Sequence, residues 1–273
     1  MQIIHTLPDL RAALSGATLT AFVPTMGNLH AGHVALVEQA GKIGTPVVAS
    51  IFVNPLQFGQ GEDFQRYPRT LDADCRQLQV AGCDLVFAPD VDQMYCEPQS
   101  FRVQPPLADQ LCGAYRPGHF EGVCTVVLKL FNMVQPRYAI FGKKDYQQLF
   151  LLKGMTRQFN LPIDILDGET VRAPDGLALS SRNGYLSPSE RAEAPRLYAQ
   201  LVSIAAAIRA GQRNFGQLEA EAKAVLDQHQ WTVDYLSVRA RSTLLTPTTS
   251  DEALVVLGAA RLGNTRLIDN LEI

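Results

Sequence analysis

Residues 18–24, Thr-Leu-Thr-Ala-Phe-Val-Pro, run straight on into Thr25-Met26-Gly27-Asn28-Leu29-His30-Ala31-Gly32-His33, and the fold is decided by how this stretch is read. Its β-branched and aromatic first half predicts a buried strand. The run from Val34 through Ala35, Leu36 and Val37 to Lys42 predicts a helix, so the glycines between form a strand-to-helix turn. Such a turn lets an anion approach backbone N–H groups at the positive end of the helix dipole. Nucleotide binding is the first functional expectation.

Working outward, the same rhythm repeats. Strands are expected at 46–53, 84–88, 138–141 and 163–166, and helices at 71–81, 123–134 and 146–158. Alternation of this kind predicts an α/β fold, a Rossmann-like parallel sheet with helices on its faces and short right-handed connections. After residue 177 the rhythm changes. Ser187, Pro188 and Glu190 form a capping box that starts a long Ala-rich helix running to 210 and stopped by Gly211. A helix at 215–228 and strands at 233–238, 252–258 and 265–268 complete a smaller C-terminal α+β domain. The expected division is 1–177 and 178–273.

Composition narrows the partners. Lys and Arg number 24 against 27 Asp and Glu, a net charge of -3, which gives no excess of cations for a nucleic acid backbone. Apolar stretches are far shorter than the roughly 20 residues needed to span a bilayer, and Met1-Gln2-Ile3-Ile4-His5 has no signal-peptide character. No membrane partner and a cytoplasmic location are therefore expected. Cys75, Cys83, Cys96, Cys112 and Cys124 are widely spaced and lack a C-x-x-C pair, which reads as reduced, mostly buried thiols.

The turn itself can be sorted further. Gly27 and Gly32 have P-loop spacing, but His33 and Val34 stand where Lys and Ser or Thr are required, and the dinucleotide G-x-G-x-x-G is absent. What remains is His30-Ala31-Gly32-His33. Two histidines three apart at a helix start face the same side. A metal pair would need further ligands, and no His or Cys cluster lies near in sequence. Imidazoles that donate to phosphate are the better reading.

PTMGNLHAGH at 24–33 resembles the H-I-G-H type signature of the nucleotidyltransferase superfamily. More closely, the chain resembles the pantoate–β-alanine ligase (pantothenate synthetase) family, through IFVNPLQF (51–58), YRPGHFEGVCTVVLKLFN (115–132), FGKKDYQQL (141–149) and LSSRNGYLS (179–187). The resemblance implies an ATP-dependent ligation: pantoate and ATP give pantoyl adenylate and pyrophosphate, then β-alanine displaces AMP. No protein nucleophile is needed, so the residues to seek are hydrogen-bond donors and cations.

Carried onto this sequence, the resemblance assigns ATP to Met26, Gly27, Asn28, Leu29, His30, Ala31, Gly32 and His33. It assigns ATP also to Gly142, Lys143, Lys144 and Asp145, and to Val171 through its backbone with Leu179, Ser180, Ser181 and Arg182. Catalytic parts fall to His33, His30, Lys144 and Arg182. His33 is the family's proton donor, although attack by a carboxylate needs no deprotonation and favours stabilisation of the leaving pyrophosphate. Arg182 supplies a permanent planar charge suited to phosphate. Lys143 stands where the family often has Glu, and its side chain is expected to face solvent.

Asn54, Gln57 and Gln148 are neutral amides suited to a small hydroxy-carboxylate. By resemblance Gln57 and Gln148 contact pantoate, and Gln57 also lies near β-alanine. The polar stretch Gly59–Asp63 is a candidate lid. Mg²⁺ is expected with the polyphosphate, although the sequence does not name its ligands. A homodimer is implied by resemblance alone. Two other functions compete: another adenylyltransferase of the superfamily, which would need more cations for a phosphorylated acceptor, and a non-catalytic ATP sensor.

Overall fold

The computed structural model describes residues 1–248 and 253–273. In chain order the elements are β1 (Gln2–Ile4), α1 (Leu7–Ala13), β2 (Ala21–Thr25), α2 (Ala31–Ala40), β3 (Val47–Ile51), α3 (Leu71–Val80), β4 (Leu85–Phe87) and α4 (Val91–Met94). They continue with α5 (Cys112–Tyr115), α6 (His119–Val134), β5 (Tyr138–Gly142), α7 (Tyr146–Gln158) and β6 (Asp164–Gly168). The last are α8 (Pro188–Glu193), α9 (Arg196–Arg209), α10 (Phe215–Gln228), β7 (Trp231–Ala240), β8 (Leu254–Leu262) and β9 (Thr265–Glu272). They divide into two compact units, one of Met1–Gly142 and Gln148–Glu169, the other of Lys143–Gln147 and Thr170–Ile273. The point at 177 where the sequence rhythm changes falls inside the second unit.

The first unit is the expected parallel α/β sheet, with strand order β1-β4-β3-β2-β5-β6. Alternate residues of each strand serve opposite faces. Phe22, Val48 and Phe87 pack with Phe120, Val127 and Phe131 of α6 and Leu152 of α7. Val23, Ala49, Val86 and Ile140 pack with Val37 of α2 and Leu78 of α3. A fully buried side chain such as Phe22 contributes about 2 kcal/mol by its removal from water.

Strand order reverses beside β2, which places a binding crevice at the carboxyl ends of β2 and β5. The ladders show how it opens. β2 pairs with β3 from Ala21 to Thr25 but with β5 only at Ala21 and Phe22. Two residues later Pro24 has no N–H with which to continue.

Four elements are not legible in the sequence: β1, of three residues, α1, and the one-turn helices α4 and α5. The second unit carries an antiparallel sheet in the order β7-β8-β9, against which α9 and α10 pack. The single long helix expected from 188 to 210 is corrected to two. Pro195 cannot bond the carbonyl of Arg191, so α8 ends at Glu193 and α9 starts at Arg196. The start expected for the middle strand, Glu252, lies outside the described residues. Cys75, Cys83 and Cys124 are buried free thiols, whereas Cys96 is exposed.

Candidate active site

The turn after β2 is tied down from within. Thr25 Oγ1 donates to Ser50 O at 2.7 Å and accepts the Gly27 N–H at 3.2 Å. Gly27 and Asn28 have φ of +82° and +51°, and a Cβ on Gly27 would lie 3.0 Å from Asp74 Oδ2. Conformation and space both require glycine there. Asp74, on α3 and 1% exposed, accepts the N–H groups of Asn28 at 2.9 Å and Leu29 at 2.8 Å and the Thr70 hydroxyl at 3.0 Å. The expectation that this turn offers its backbone N–H groups to phosphate is thereby narrowed at three positions. The Gly27 N–H is taken by the Thr25 hydroxyl, and those of Asn28 and Leu29 by Asp74, because a buried carboxylate needs donors as much as phosphate does.

The two histidines follow at the start of α2. His30 is the N-cap of α2, and its Nδ1 accepts the Gly32 N–H at 3.1 Å; His33 Nδ1 accepts the His30 N–H at 3.2 Å. The rings lie 4.1 Å apart. This is a capping box built from imidazoles instead of Ser and Glu. Each Nδ1 is an acceptor, so the hydrogen of each neutral ring is on Nε2, which points away from the backbone it caps. A Cβ on Gly32 would meet His30 Cε1 at 2.7 Å, so this glycine makes room for the folded-back ring.

Gln57 follows β3 in a 3₁₀ turn, Pro55–Gln57, capped by Asn54. Asn54 is 1% exposed: its Nδ2 donates to Gln57 Oε1 at 3.1 Å and to Gly122 O at 3.2 Å, and its Oδ1 accepts from Tyr95 OH at 2.7 Å. Gln57 Nε2 lies 2.9 Å from Met26 Sδ, which brings the Gln57 amide to the turn after β2. The Gln57 carbonyl accepts from His119 Nδ1 at 2.8 Å, so His119 Nε2 is an acceptor for Arg116 Nη1 at 2.9 Å. Arg116 in turn holds Glu62, in the 59–63 stretch, through both oxygens at 2.8 and 2.7 Å. Burial tends to raise the Glu62 carboxyl, but the Arg116 hydrogen bonds and charge outweigh it and hold it below the usual range. Gln148 stands half-buried in the first turn of α7.

In the second unit, Lys144 and Ser180 line one small cavity with Asn183, Tyr198 and Asp269. Val171 O accepts the Leu179 N–H at 2.9 Å, and Arg172 bridges Ala178, which sets the course of the loop. Ser180 Oγ accepts the Arg182 N–H at 3.2 Å and caps a 3₁₀ turn, Ser181–Tyr185, while Asn183 Nδ2 donates to Ala178 O at 3.0 Å. Lys143 is corrected from a solvent-facing side chain to an ion-paired one, with its Nζ 3.4 Å from Glu272 Oε2. Asp145 is exposed. Among the described residues no group of three or more His, Cys, Asp or Glu is placed to hold a metal ion, and no helix is long and apolar enough to cross a membrane.

The model of the family described as pantoate-beta-alanine ligase matches residues 2–272. The chain belongs to the pantoate–β-alanine ligase family. It is 65% identical to the pantothenate synthetase of Thiobacillus denitrificans, across all of this chain and 97% of that one, and 57% identical to that of Methylobacillus flagellatus, across all of this chain and 98% of that one. The crystal structure of pantothenate synthetase from Thermus thermophilus superposes with a TM-score of 0.94 at 46% identity, covering 100% of this chain and 99% of the other. The pantoate–β-alanine ligase of Francisella tularensis, complexed with β,γ-ATP and β-alanine, gives 0.78 at 31% identity, covering 100% and 97%. Family membership makes the chain an enzyme, a ligase of pantothenate formation, and selects this reading over the adenylyltransferase and the sensor.

Several residues that hold the expected site residues in place escape sequence reasoning: Asp74, Tyr95, Arg116 and His119 in the first unit and, separately, Asn183 in the second. Arg116, His119 and Asn183 lie in the stretches that carry the family resemblance, and Asp74 has a signal in its own helix. It sits with Leu71, Cys75 and Leu78 on the apolar stripe of α3, where a carboxylate needs a reason.

Proposed function

We propose that pantothenate is formed here through a pantoyl adenylate. The pantoate carboxylate attacks the α-phosphorus of ATP as the bond to pyrophosphate breaks. The β-alanine amine then attacks the pantoyl carbonyl, loses a proton and expels AMP. A ligase of this kind needs no protein nucleophile, and the complex of the Francisella tularensis relative with β,γ-ATP and β-alanine supports both co-substrates.

One observation carries the reading: the interlocked His30 and His33, whose Nδ1 atoms accept backbone N–H groups and so place the hydrogen of each neutral ring on Nε2. Two fixed neutral donors suit oxygens that gain charge as pyrophosphate leaves. In the first unit we assign ATP to Met26–His33 and Gly142, and pantoate to Gln57 and Gln148, with Gln57 also near β-alanine and Asn54 orienting Gln57. In the second unit ATP is assigned to Lys143–Asp145, Val171 and Leu179–Arg182, with Lys144 and Arg182 as the phosphate cations. Mg²⁺ enters as part of the ATP substrate, bound to phosphates and water and needing few protein ligands. A cytoplasmic homodimer belongs to the same proposal, and sedimentation velocity tests its assembly.

The deciding experiment incubates the protein with ATP, Mg²⁺, pantoate and β-alanine and follows AMP. Release that needs both acids supports the ligation. Pantoate-dependent exchange of pyrophosphate into ATP without β-alanine supports the adenylate, and its absence overturns the two-step route.

A further inference from the structure

We infer that Asn270 is a positioning residue for Lys144. The inference rests on the reading of Lys144 as a phosphate-contacting group. Asn270 is 6% exposed, and its Nδ2 donates to two successive carbonyls, those of Lys143 at 2.8 Å and Lys144 at 3.0 Å. One carboxamide thus uses both its hydrogens to fix the backbone from which the Lys144 side chain springs. Asp has the same shape but no hydrogens to give when ionised, and Gln is a methylene too long for a buried site.

Asn270 is itself braced. It sits on β9 in register with Leu257 of β8, and its N–H bonds Asp269 Oδ1 at 2.7 Å. Asp269, 5% exposed, holds Arg172 through two bonds of 2.6 and 2.8 Å, and the Arg172 guanidinium lies 3.6 Å from the Tyr198 ring centre. Arg172 Nη2 also reaches Asn270 O at 3.3 Å. Asp269 and Tyr198 line the same cavity as Lys144 and Ser180. The network therefore links the wall of the cavity to the turn that carries its cation.

The neighbouring lysine shows the selectivity of this arrangement. Lys143 is neutralised by Glu272, which also accepts from Tyr146 OH at 2.8 Å and pairs with Arg241 at 2.7 Å. Lys144 takes part in none of the ion pairs found among the described residues, and it lines the cavity. Asn270 separates the fates of two adjacent like charges by fixing the turn between them.

The test uses the full chain and four proteins: wild type, Asn270→Asp, Lys144→Gln and the double variant. Mg·ATP affinity is measured by calorimetry, with steady-state kinetics and thermal melts beside it. Asn270→Asp is expected to lower kcat/KM for ATP by roughly 10- to 100-fold, the scale of a cation displaced by about 1 Å. KM for pantoate should move less than about twofold, and ATP affinity should fall much less when Lys144 is already Gln. Equal losses in both backgrounds, equal changes in both KM values, or unchanged turnover would each overturn the inference. Should Asn270→Asp not fold, Asn270→Ser, which keeps one donor, must show an intermediate loss with the same dependence on Lys144. If Lys144→Gln alone keeps wild-type ATP affinity and turnover, the reading of Lys144 fails first, and that result is separate from any measurement on Asn270.

Discussion

His33 accepts the backbone N–H of His30 on Nδ1 at 3.2 Å, so each ring of the pair caps α2 with one nitrogen and carries its hydrogen on the other, to which the proposal gives a second job. The jobs can be separated. Gln at position 33 can keep the box, since Gln is a natural partner at that place in a capping box, whereas Ala cannot. His33→Gln should keep stability within about 0.5 kcal/mol, and His33→Ala should lose about 1 kcal/mol in urea denaturation. Both should lose pantoate-dependent ATP–pyrophosphate exchange by about 10²-fold. An unchanged exchange rate in His33→Gln would sink the proposed role of the ring.

Asp74 ties the Gly27–Leu29 turn to α3. In Asp74→Ala the N–H groups of Asn28 and Leu29 lose their acceptor, and leaving a buried donor unsatisfied costs about 1–3 kcal/mol. Chemical denaturation should show at least that loss, with a raised KM for ATP. A variant as stable as wild type would mean that water replaces the carboxylate at no cost.

Gly122 lets α6 lie against the Pro55–Gln57 turn. A Cβ there would fall 2.2 Å from Leu56 O and 2.7 Å from Gln57 N, so backbone must move. Gly122→Ala is expected to cost about 1–3 kcal/mol by overpacking and to raise KM for pantoate more than for ATP. Gly154→Ala on α7, where a Cβ meets nothing within 4 Å, is the control and should gain a few tenths to about 1 kcal/mol.

Glu62 gives a pH signature. Its carboxyl lies below the ordinary value because the Arg116 bonds and charge overcome the opposing effect of burial. A lowered folded value means that the pair stabilises the protein above the ordinary glutamate value of about 4.3 and that this contribution fades as pH falls through the folded value. The stability gap between wild type and Glu62→Gln should be full at pH 7 and shrink on acidification toward pH 3. A gap independent of pH would show that Arg116 holds the 59–63 stretch through geometry alone.

The legible parts of the molecule are those set by neighbours in sequence. The strand ending at Thr25, the α7 span Tyr146–Gln158 and the Ser187–Glu190 box follow from periodicity and capping over a few residues. Pro195 is equally local, but the Ala-rich run around it hides the break. What could not be read depends on distance along the chain. Asp74 meets Leu29 across 45 positions and Asn270 meets Lys144 across 126, and neither pairing leaves a pattern in a single sequence. The histidine motif is legible through its spacing. Its tautomers required the backbone.

The early end of the β2–β5 ladder also bears on how the chain reaches its native state. Ala21 joins Val47 after a short excursion, but it joins Tyr138 only once more than a hundred intervening residues have been laid down. Contacts of such long separation carry a large closure entropy and are slow to form. The crevice is thus bordered by one of the sheet's slowest contacts to nucleate, with few hydrogen bonds to secure it. A ligand bound at this switch point would act on the molecule's kinetics as well as its chemistry, because it would hold together two strands that only a short ladder joins.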